Sequence, residues 1–412
     1  MKNDNILEVA SDVKWIGILD SDIVTFDVVM ETQYGTTYNS YFINADKKAV
    51  IDTAKEKFVG AYLGKVRKVT PPEEIEYIIM NHTEPDHSGS LSALLELAPE
   101  ATVVGSGNAI RYLEDIVGKP FRSKKVKDGD TLELGNKTLR FIGAPNLHWP
   151  DTMYTWIEED RILFTCDSFG CHFCDEKMFD DRVRDFDEAF NYYFDVILKP
   201  YSKFMLKAID KIRDLDISVV APGHGPILRK NWKKYVQWSE KMASEYLEQK
   251  EHDIPEVLIA YVTAYGYTQE MAMSIGRGLE SEGNIKVHLA NIEHMPLGEM
   301  EELLTRADGI IVGTPTINKN TFLPVYKLLS AVNPLRDNNK PAAAFGSYGW
   351  SGEGPEIVAS AMQKLRLNVV GEPQKVKFAP KDPGNEKQKM LEDFGKLFSR
   401  KVRAFVGEKT KS

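Results

Sequence analysis

Residues 81–89 read NHTEPDHSG, and this stretch decides how the N-terminal part of the chain is interpreted. Four of its positions carry side chains that commonly bind metals: His82, Glu84, Asp86 and His87. The apolar run from Ile75 to Met80 predicts a buried strand before it, and a helical apolar spacing begins at Leu91. Two imidazoles with two carboxylates are a harder donor set than the Cys-rich and His-rich sets of structural zinc. The stretch therefore predicts a loop that binds iron or manganese.

Three further candidate ligands each follow an apolar, strand-like run: His148 in NLHWPD, Asp167 in TCDSFG and His224 in APGHGPI. Open α/β sheets place functional loops at the carboxyl ends of their strands, so we expect these side chains to meet the first four. Seven ligands exceed what one ion ordinarily coordinates, and they suit two ions joined by a carboxylate. A single histidine in such a loop is ordinarily structural, so the prediction depends on the joint pattern.

The 412 residues are 42% hydrophobic and 27% charged, which is typical of a soluble globular protein with two or three domains. The net charge of −9 argues against nucleic acid and against an anionic membrane surface as partners. The N-terminus lacks a signal-peptide core, and no apolar run reaches the roughly 20 residues of a membrane span. Three cysteines form no disulfide framework, which predicts a cytoplasmic location. Cys171 and Cys174 have CxxC spacing without a second such pair, so their role stays open.

The strand and helix signals predict two domains, residues 1–253 and 254–412. In the first domain, short apolar runs predict strands at Trp15–Leu19, Val24–Met30, Thr37–Ile43, Ala101–Val104, Leu139–Ile142, Met153–Ile157, Arg161–Thr165 and Ile217–Val220. A charged stretch without Gly or Pro, residues 229–253, predicts a helix that connects the domains. From Glu256 onward five strands alternate with helices, and this alternation predicts a doubly wound parallel sheet.

Three loops of the second domain carry polar and aromatic residues at predicted strand ends. They contain Thr263, Ala264, Tyr265, Gly266, Tyr267 and Thr268; then Thr314, Pro315, Thr316, Ile317 and Asn318; and then Ser347, Tyr348, Gly349, Trp350, Ser351 and Gly352. The first loop matches neither a nucleoside-triphosphate loop nor a dinucleotide fingerprint. Its hydroxyls and a helix N-terminus suit a phosphate monoester, and Tyr348 and Trp350 could stack on a planar ring. A capped helix start is the alternative for the first loop alone.

The seven candidate ligands, in their order along the chain, resemble those of the flavodiiron proteins, which have a variant of the metallo-β-lactamase fold. The likeness covers nearly the whole chain, and the ordinary hydrolase version has histidine where Glu84 stands. The resemblance implies an α/β protein with an N-terminal metallo-β-lactamase-like αββα domain and a C-terminal flavodoxin-like, doubly wound parallel sheet that binds FMN. It implies two iron ions with these ligands: His82, Glu84 and His148 for the iron nearer the flavin, Asp86, His87 and His224 for the other, and Asp167 as the bridge.

By the same resemblance, His172 and Tyr193 are expected to donate hydrogen bonds over the substrate pocket, although a structural histidine and a core tyrosine are equally good interpretations. The implied function is reduction of O2 to water, of NO to nitrous oxide, or of both, with electrons delivered through FMN. The donor is expected to be rubredoxin or a reduced deazaflavin coenzyme. The implied assembly is a head-to-tail homodimer or a dimer of dimers.

Two alternatives remain open at this stage. One is a metallo-β-lactamase-type dinuclear hydrolase fused to a flavodoxin-like electron-transfer domain. Glu84 in place of histidine speaks against it, and metal analysis would discriminate. The other is an electron carrier whose first domain is a degenerate scaffold, which the seven intact ligands oppose. The choice between O2 and NO is left open, because both use the same ligands.

Overall fold

The structure is a computed structural model that describes residues 3–26, 30–248, 254–378 and 385–409. The chain forms two compact units, Met1–Leu247 and Glu248–Ser412. The predicted domain boundary, between residues 253 and 254, falls beside residues 249–253, which lie outside the described residues. Its position therefore remains a prediction. Within the described ranges, no helix is both long enough and apolar enough to cross a lipid bilayer.

The strands of the N-terminal unit are, in chain order, β1 Leu7–Ala10, β2 Val13–Trp15, β3 Ile18–Asp20, β4 Thr25–Phe26, β5 Met30–Glu31, β6 Thr36–Tyr38, β7 Tyr41–Ile43, β8 Lys48–Ile51, β9 Ile75–Met80, β10 Thr102–Ser106, β11 Arg122–Val126, β12 Thr131–Glu133, β13 Thr138–Gly143, β14 Met153–Ile157, β15 Ile162–Cys166 and β16 Val219–Pro222. Its helices are α1 Val59–Val69, α2 Pro85–Ser88, α3 Leu91–Leu97, α4 Gly107–Val117, α5 Asp187–Tyr193, α6 Ser202–Ile212 and α7 Trp232–Glu248. A π-helical turn, Phe194–Leu198, continues α5, and short 3-10 turns lie at Glu56–Phe58, Pro72–Glu74 and Lys199–Tyr201.

One sheet of this unit has the strand order β1-β2-β7-β8-β9-β10-β11, and a second has the order β12-β13-β14-β15-β16. In the first sheet the neighbouring strands from β8 through β11 run parallel to one another, and in the second sheet β15 and β16 do so. Alternating side chains point to opposite faces of each strand. In β9, Ile79 packs into a core shared by the two sheets, whereas Ile78 packs with the helices. Helices thus cover both outer faces, and the predicted αββα arrangement is confirmed.

The strands of the C-terminal unit are β17 Glu256–Tyr261, β18 Lys286–Asn291, β19 Gly309–Gly313, β20 Pro341–Tyr348, β21 Asn368–Val369 and β22 Gln374–Lys377. Its helices are α8 Tyr267–Ser281, α9 Leu297–Arg306, α10 Leu323–Ser330, α11 Gly354–Lys364 and α12 Glu386–Lys409. The sheet order is β18-β17-β19-β20-β21, β22 also pairs with β20, and every pairing is parallel. One core joins the sheet to α9, α10 and α11, and another joins its opposite face to α8 and α12. The predicted doubly wound parallel sheet is therefore confirmed.

Three predicted strands near the N-terminus are wrong as single strands. Trp15–Leu19 divides into β2 and β3 at Gly17, where a side-chain Cβ would lie 2.4 Å from the carbonyl oxygen of Tyr38. Thr37–Ile43 divides because β6 pairs with β3 while β7 joins the larger sheet. In Val24–Met30, β4 pairs antiparallel with β5 across residues 27–29, which lie outside the described residues. Alternating apolar residues predict extended chain but do not reveal where it changes sheets.

Candidate metal centre

The seven candidate ligands all lie just beyond the carboxyl ends of strands. His82 and Glu84 follow β9 directly, and the short helix α2 carries Asp86 and His87. Pro85 stands in the first turn of α2, where a proline costs no hydrogen bond and has the backbone φ that a helix needs. The remaining three follow β13, β15 and β16: His148, Asp167 and His224. The two sheets thus deliver their strand ends to one place.

One group consists of His82, Glu84, His148 and Asp167, whose ligand atoms lie within 4.8 Å of one another. The Nε2 atom of His148 is 3.0 Å from Glu84 Oε2 and 3.3 Å from Asp167 Oδ2. The Nε2 atom of His82 is 3.4 Å from each of the same two oxygens. Two nitrogens and two oxygens therefore converge on a common point.

A second group consists of Asp86, His87 and His224. Asp86 Oδ2 lies 3.4 Å from His87 Nε2 and 3.1 Å from His224 Nε2. Asp167 reaches this group with its other oxygen, Oδ1, which is 3.0 Å from His87 Nε2 and 3.5 Å from His224 Nε2. The Asp167 carboxylate therefore presents one oxygen to each group, as a bridge between two cations would.

The donor set fits a pair of bound metal ions better than a set of hydrogen bonds. Both carboxylate oxygens of Asp86 and the Oδ2 atom of Asp167 are buried without a hydrogen-bond partner among the described residues. Unpaired buried acceptors are costly, and a cation removes that cost. Burial disfavours charge on His82, but its hydrogen bonds with Asp151 and Glu84 prevail and raise its pKa to about 10. The carboxylates thus attract positive charge, which metal binding supplies in place of protons.

Two groups outside the ligand set orient the imidazoles. Because a carboxylate only accepts, the Nδ1 atom of His82 donates to Asp151 Oδ2 at 3.1 Å, and this leaves Nε2 free to bind a metal. The same oxygen of Asp151 accepts from the backbone N–H and the hydroxyl of Thr83, at 2.8 and 2.9 Å. The Nδ1 atom of His224 donates to the carbonyl of Thr37 at 2.6 Å. Sequence reasoning missed both groups, although Asp151 stands in the same NLHWPD segment as His148.

The structure brings His172 and Tyr193 together beside the second group. The ring of His172 is 4.9 Å from the ring of Tyr193 and 4.9 Å from that of His224, measured between centroids. Its Nδ1 atom is 2.8 Å from the hydroxyl of Thr36, whereas Nε2 is buried without a partner within the described chain. Burial lowers the pKa of His172 well below its usual value, so the ring is neutral. The role expected for both residues remains a prediction.

The CxxC pair lies close to this region but forms no disulfide. Cys171 and Cys174 are buried free thiols. Burial raises the pKa of Cys174 to about 12 and raises that of Cys171 further. Thiols with such raised pKa values are inert at neutral pH, because the thiolate is the reactive form.

The C-terminal unit brings the three predicted flavin loops to the carboxyl edge of its sheet. The hydroxyls of Thr268 and Ser347 are 2.9 Å apart, which joins the first loop to the end of β20. The backbone N–H of Thr316 donates to the carbonyl of Ser347 at 3.0 Å, which joins the second loop to the same strand. Ser347 and Tyr348 belong to β20 itself, so the third loop begins at Gly349 and continues through Ser351 and Gly352. The three segments thus lie together at one edge of the sheet, where Thr263, Ala264 and Pro315 line a crevice.

The first loop has the form of a phosphate cradle. Gly266 has φ of +83°, a conformation that side-chain-bearing residues rarely adopt, and its N–H donates to the hydroxyl of Thr263 at 3.1 Å. Helix α8 begins directly after it, and its first N–H groups have no partner inside the helix. Such groups, with the positive end of the helix dipole, favour a phosphate.

The other predicted loop residues differ widely in exposure. Tyr265 and Trp350 expose 78% and 75% of their surface, and Ile317 is also exposed. Thr314, by contrast, is fully buried and its hydroxyl lies 2.8 Å from that of Thr321, so it supports the crevice from below. Ala264 and Asn318 are exposed, Pro315 is buried, and Tyr267 is half-buried.

Two family models match the chain. One is described as the ODP family beta-lactamase and matches residues 36–225. The other is described as flavodoxin and matches residues 259–390. Together they cover the metal cluster and the crevice, and neither extends into the other's unit.

Among characterised proteins, the flavo-diiron protein FprA2 of Clostridium acetobutylicum is 37% identical over 397 residues, which is 95% of this chain and 99% of the relative. The type A flavoprotein of Rhodobacter capsulatus is 39% identical over 376 residues, covering 90% of this chain and 86% of the relative. Rubredoxin oxygen:oxidoreductase from Desulfovibrio gigas is structurally similar, with a TM-score of 0.67, 27% identity and coverage of 98% and 100% of the two chains. The flavodiiron protein of Giardia intestinalis gives a TM-score of 0.65 at 27% identity, covering 99% of each chain.

Proposed function

This chain belongs to the flavodiiron proteins, and from that membership we propose that it reduces O2 to water, NO to nitrous oxide, or both. The C-terminal unit would hold FMN and the N-terminal unit two iron ions, which together would supply the electron transfer. The observation that carries the proposal is the Asp167 carboxylate, which presents one oxygen to each of two histidine-carboxylate groups. Such an arrangement suits two ions held side by side.

The ligands we assign to the iron ions divide as the two groups do. His82, Glu84 and His148 bind one ion, Asp86, His87 and His224 bind the other, and Asp167 bridges them. When bound, an iron pair supplies reducing electrons and open coordination positions for a diatomic molecule, and FMN supplies electron transfer from an external donor. A donor set with three carboxylates and four imidazoles is harder than that of a thiolate site and supports iron.

The chain's own residues hold and orient this centre. Asp151 and the Thr37 carbonyl fix the His82 and His224 rings by their Nδ1 protons, so that Nε2 of each faces the centre. Most candidate ligands are buried, which excludes bulk water and strengthens the electrostatic interactions between carboxylates and cations. His172 and Tyr193 lie beside the second ion, where His172 Nε2 and the Tyr193 hydroxyl are the polar groups we assign to the bound substrate.

The crevice of the C-terminal unit holds FMN in this proposal. The loop from Thr263 to Thr268 would hold the phosphate at the N-terminus of α8, and Trp350, whose ring is exposed, would offer a stacking surface for the isoalloxazine. The remaining loop residues, from Thr314 to Asn318 and from Ser347 to Gly352, complete its walls. Backbone groups bind the phosphate, so the first loop needs small residues more than charged ones.

We further propose the assembly and the electron donor. A rubredoxin or a reduced deazaflavin coenzyme delivers the electrons, since one relative is a rubredoxin oxygen:oxidoreductase. Two copies form a head-to-tail homodimer, or a dimer of dimers, in which the FMN of one copy serves the irons of the other. The protein works in the cytoplasm, with neither nucleic acid nor membrane as a partner.

Anaerobic purification followed by metal analysis, flavin analysis and gas consumption tests the function. We expect two iron ions and one FMN per chain, and consumption of O2 or NO by the reduced protein. Parallel assays with the two gases assign the substrate. Zinc without iron, together with ester or lactam hydrolysis that does not depend on FMN, would instead support a dinuclear hydrolase.

A further inference from the structure

A cavity of about 970 Å³ opens in the N-terminal unit beside the candidate centre. Residues of four stretches of the chain line it, among them Thr25, Thr32, His172, Ala189, Asn191 and Asp195. Its volume is many times the volume that one water molecule occupies in the liquid, about 30 Å³. Polar side chains such as Asn191 and Asp195 and apolar ones such as Ile23 both line it, and its volume is large enough to admit a diatomic molecule.

His172 is the lining residue of this cavity that also contacts a candidate ligand. Its side chain is only 5% exposed, and its Nε2 atom has no hydrogen-bond partner in the part of the chain that the structure describes. On its inner side the ring stands against His224, one of the candidate ligands of the second ion. The ring of Phe26 packs against both, with its centroid 4.2 Å from that of His172 and 5.5 Å from that of His224, so aromatic rings separate the cavity from that ligand set.

The opposite side of the centre has a different character. Among the seven candidate ligands, Glu84 and His148 are the most exposed, at 15% and 16% of their side-chain surface. Both belong to the first group, which the resemblance to flavodiiron proteins assigns to the iron nearer the flavin. Asp86 and His224 of the second group are buried and do not line the cavity. The centre thus has one side at the surface and another side that the cavity approaches.

We propose that this cavity is the route by which the diatomic substrate reaches the centre, past His172 and on the side of the ion held by Asp86, His87 and His224. The inference rests on the proposed function and adds that electrons and the gaseous substrate reach the centre from different sides. Electrons arrive on the side of Glu84 and His148. O2 or NO arrives on the side of His172, together with the water that exchanges protons with the centre. A flavin seated on the first side then leaves the second side open.

Filling the cavity tests the route. Ala189 lies on α5 and lines the cavity, so Ala189→Trp places a large ring in it. The fully reduced protein is mixed with rising concentrations of O2, and separately of NO, in a stopped-flow instrument. We expect the second-order rate constant for the gas to fall at least about 10-fold, whereas the rate at which a chemical reductant reduces FMN stays unchanged. Iron and FMN contents are measured on the same samples.

Two further variants make the outcome decisive. Asn191→Trp fills the same cavity from a half-buried position and serves if Ala189→Trp does not fold. Lys203→Trp adds the same bulk at an exposed position of α6 that does not line the cavity, and its rate constants should equal those of the unaltered protein. Unchanged gas rate constants in a folded, iron-containing cavity variant would overturn the route.

The binding of NO separates this proposal from the proposed function. Association of NO with the reduced protein is followed by absorbance and does not require turnover. Slower association in the cavity variants supports the route even if the unaltered protein reduces neither gas, which would count against the function alone. An unaltered protein without iron would overturn both.

Discussion

The two candidate sites of this chain differ in whether side chains or backbone groups form them. In the N-terminal unit, mostly buried side chains make the candidate site, and two of its four imidazoles, those of His82 and His224, are held by Asp151 and the Thr37 carbonyl. In the C-terminal unit, a loop backbone and a helix N-terminus make the proposed site, and two of its large side chains, Tyr265 and Trp350, are exposed to solvent. A site made of side chains depends on the identity of each one, whereas a site made of backbone tolerates substitution. Single substitutions should therefore have larger effects in the first unit than in the second.

The largest effect is expected from Asp167→Ala. The substitution removes the carboxylate whose oxygens lie 3.4 Å from His82 Nε2 and 3.0 Å from His87 Nε2, and so leaves each group one ligand short. We expect bound iron to fall from two ions to one or none, and gas reduction to fall by more than about 100-fold, since losing even an outer partner costs up to that factor. FMN content should not change, because Asp167 belongs to the other unit.

Asp181→Ala is the matched control for that substitution. Asp181 pairs with Arg229 near the surface at 2.8 Å, a type of ion pair that contributes about 0–1 kcal/mol. Its iron content and rate should match those of the unaltered protein. Retention of two irons and full activity in Asp167→Ala would remove the basis for the contrast between the two sites.

The next largest effect is expected from Asp151, which touches a ligand rather than the metal. Asp151→Ala removes the acceptor that holds the His82 ring, and loss of such partners lowers metal affinity about 10–100-fold. Asp151→Asn keeps an oxygen that can accept from His82 and Thr83, so its loss should be smaller. Competition with a chelator of known iron affinity measures both. Equal affinities in all three proteins would mean that the ring is held by packing alone.

The same contrast explains what the sequence could and could not predict. The ligand residues stand in short motifs after apolar strands, so their convergence was foreseeable, and the structure brings all seven together. The carbonyl of Thr37 has no sequence signature, because every residue has a carbonyl, so its bond to His224 was not foreseeable. Which of these residues bind metal remains a prediction.

The strands show a similar limit. Interior strands such as β14 and β15 are predicted almost to the residue, because both of their faces are buried. Edge strand β11 reads RSKKV, and four of its five residues are exposed. Charged edge strands prevent aggregation and carry no apolar signal, so sequence patterns pass over them.

In the C-terminal unit a moderate effect is expected from Thr268→Val. The substitution removes the hydroxyl that lies 2.9 Å from that of Ser347, in the loop proposed to bind the phosphate, while keeping the size of the side chain. A lost hydrogen bond of about 0.5–1.5 kcal/mol weakens FMN binding roughly 2- to 13-fold. Fluorescence titration of the flavin-free protein measures the Kd. Thr268→Ser retains the hydroxyl and should bind as the unaltered protein does, and iron content should stay the same in both.

The smallest effect on the fold is expected from Trp350→Ala. With 75% of its surface exposed, Trp350 contributes little to the core, so the free energy of unfolding of the flavin-free protein should change by less than about 0.5 kcal/mol. Its ring matters only when a flavin stacks on it, and such ring pairs contribute about 0.5–1.5 kcal/mol. FMN affinity should therefore fall a few-fold while urea unfolding is unchanged. Trp350→Phe retains a ring and should recover most of that affinity. A large loss of stability with no change in Kd would show that Trp350 is a packing residue, and the crevice would then resemble the metal centre in its dependence on buried side chains.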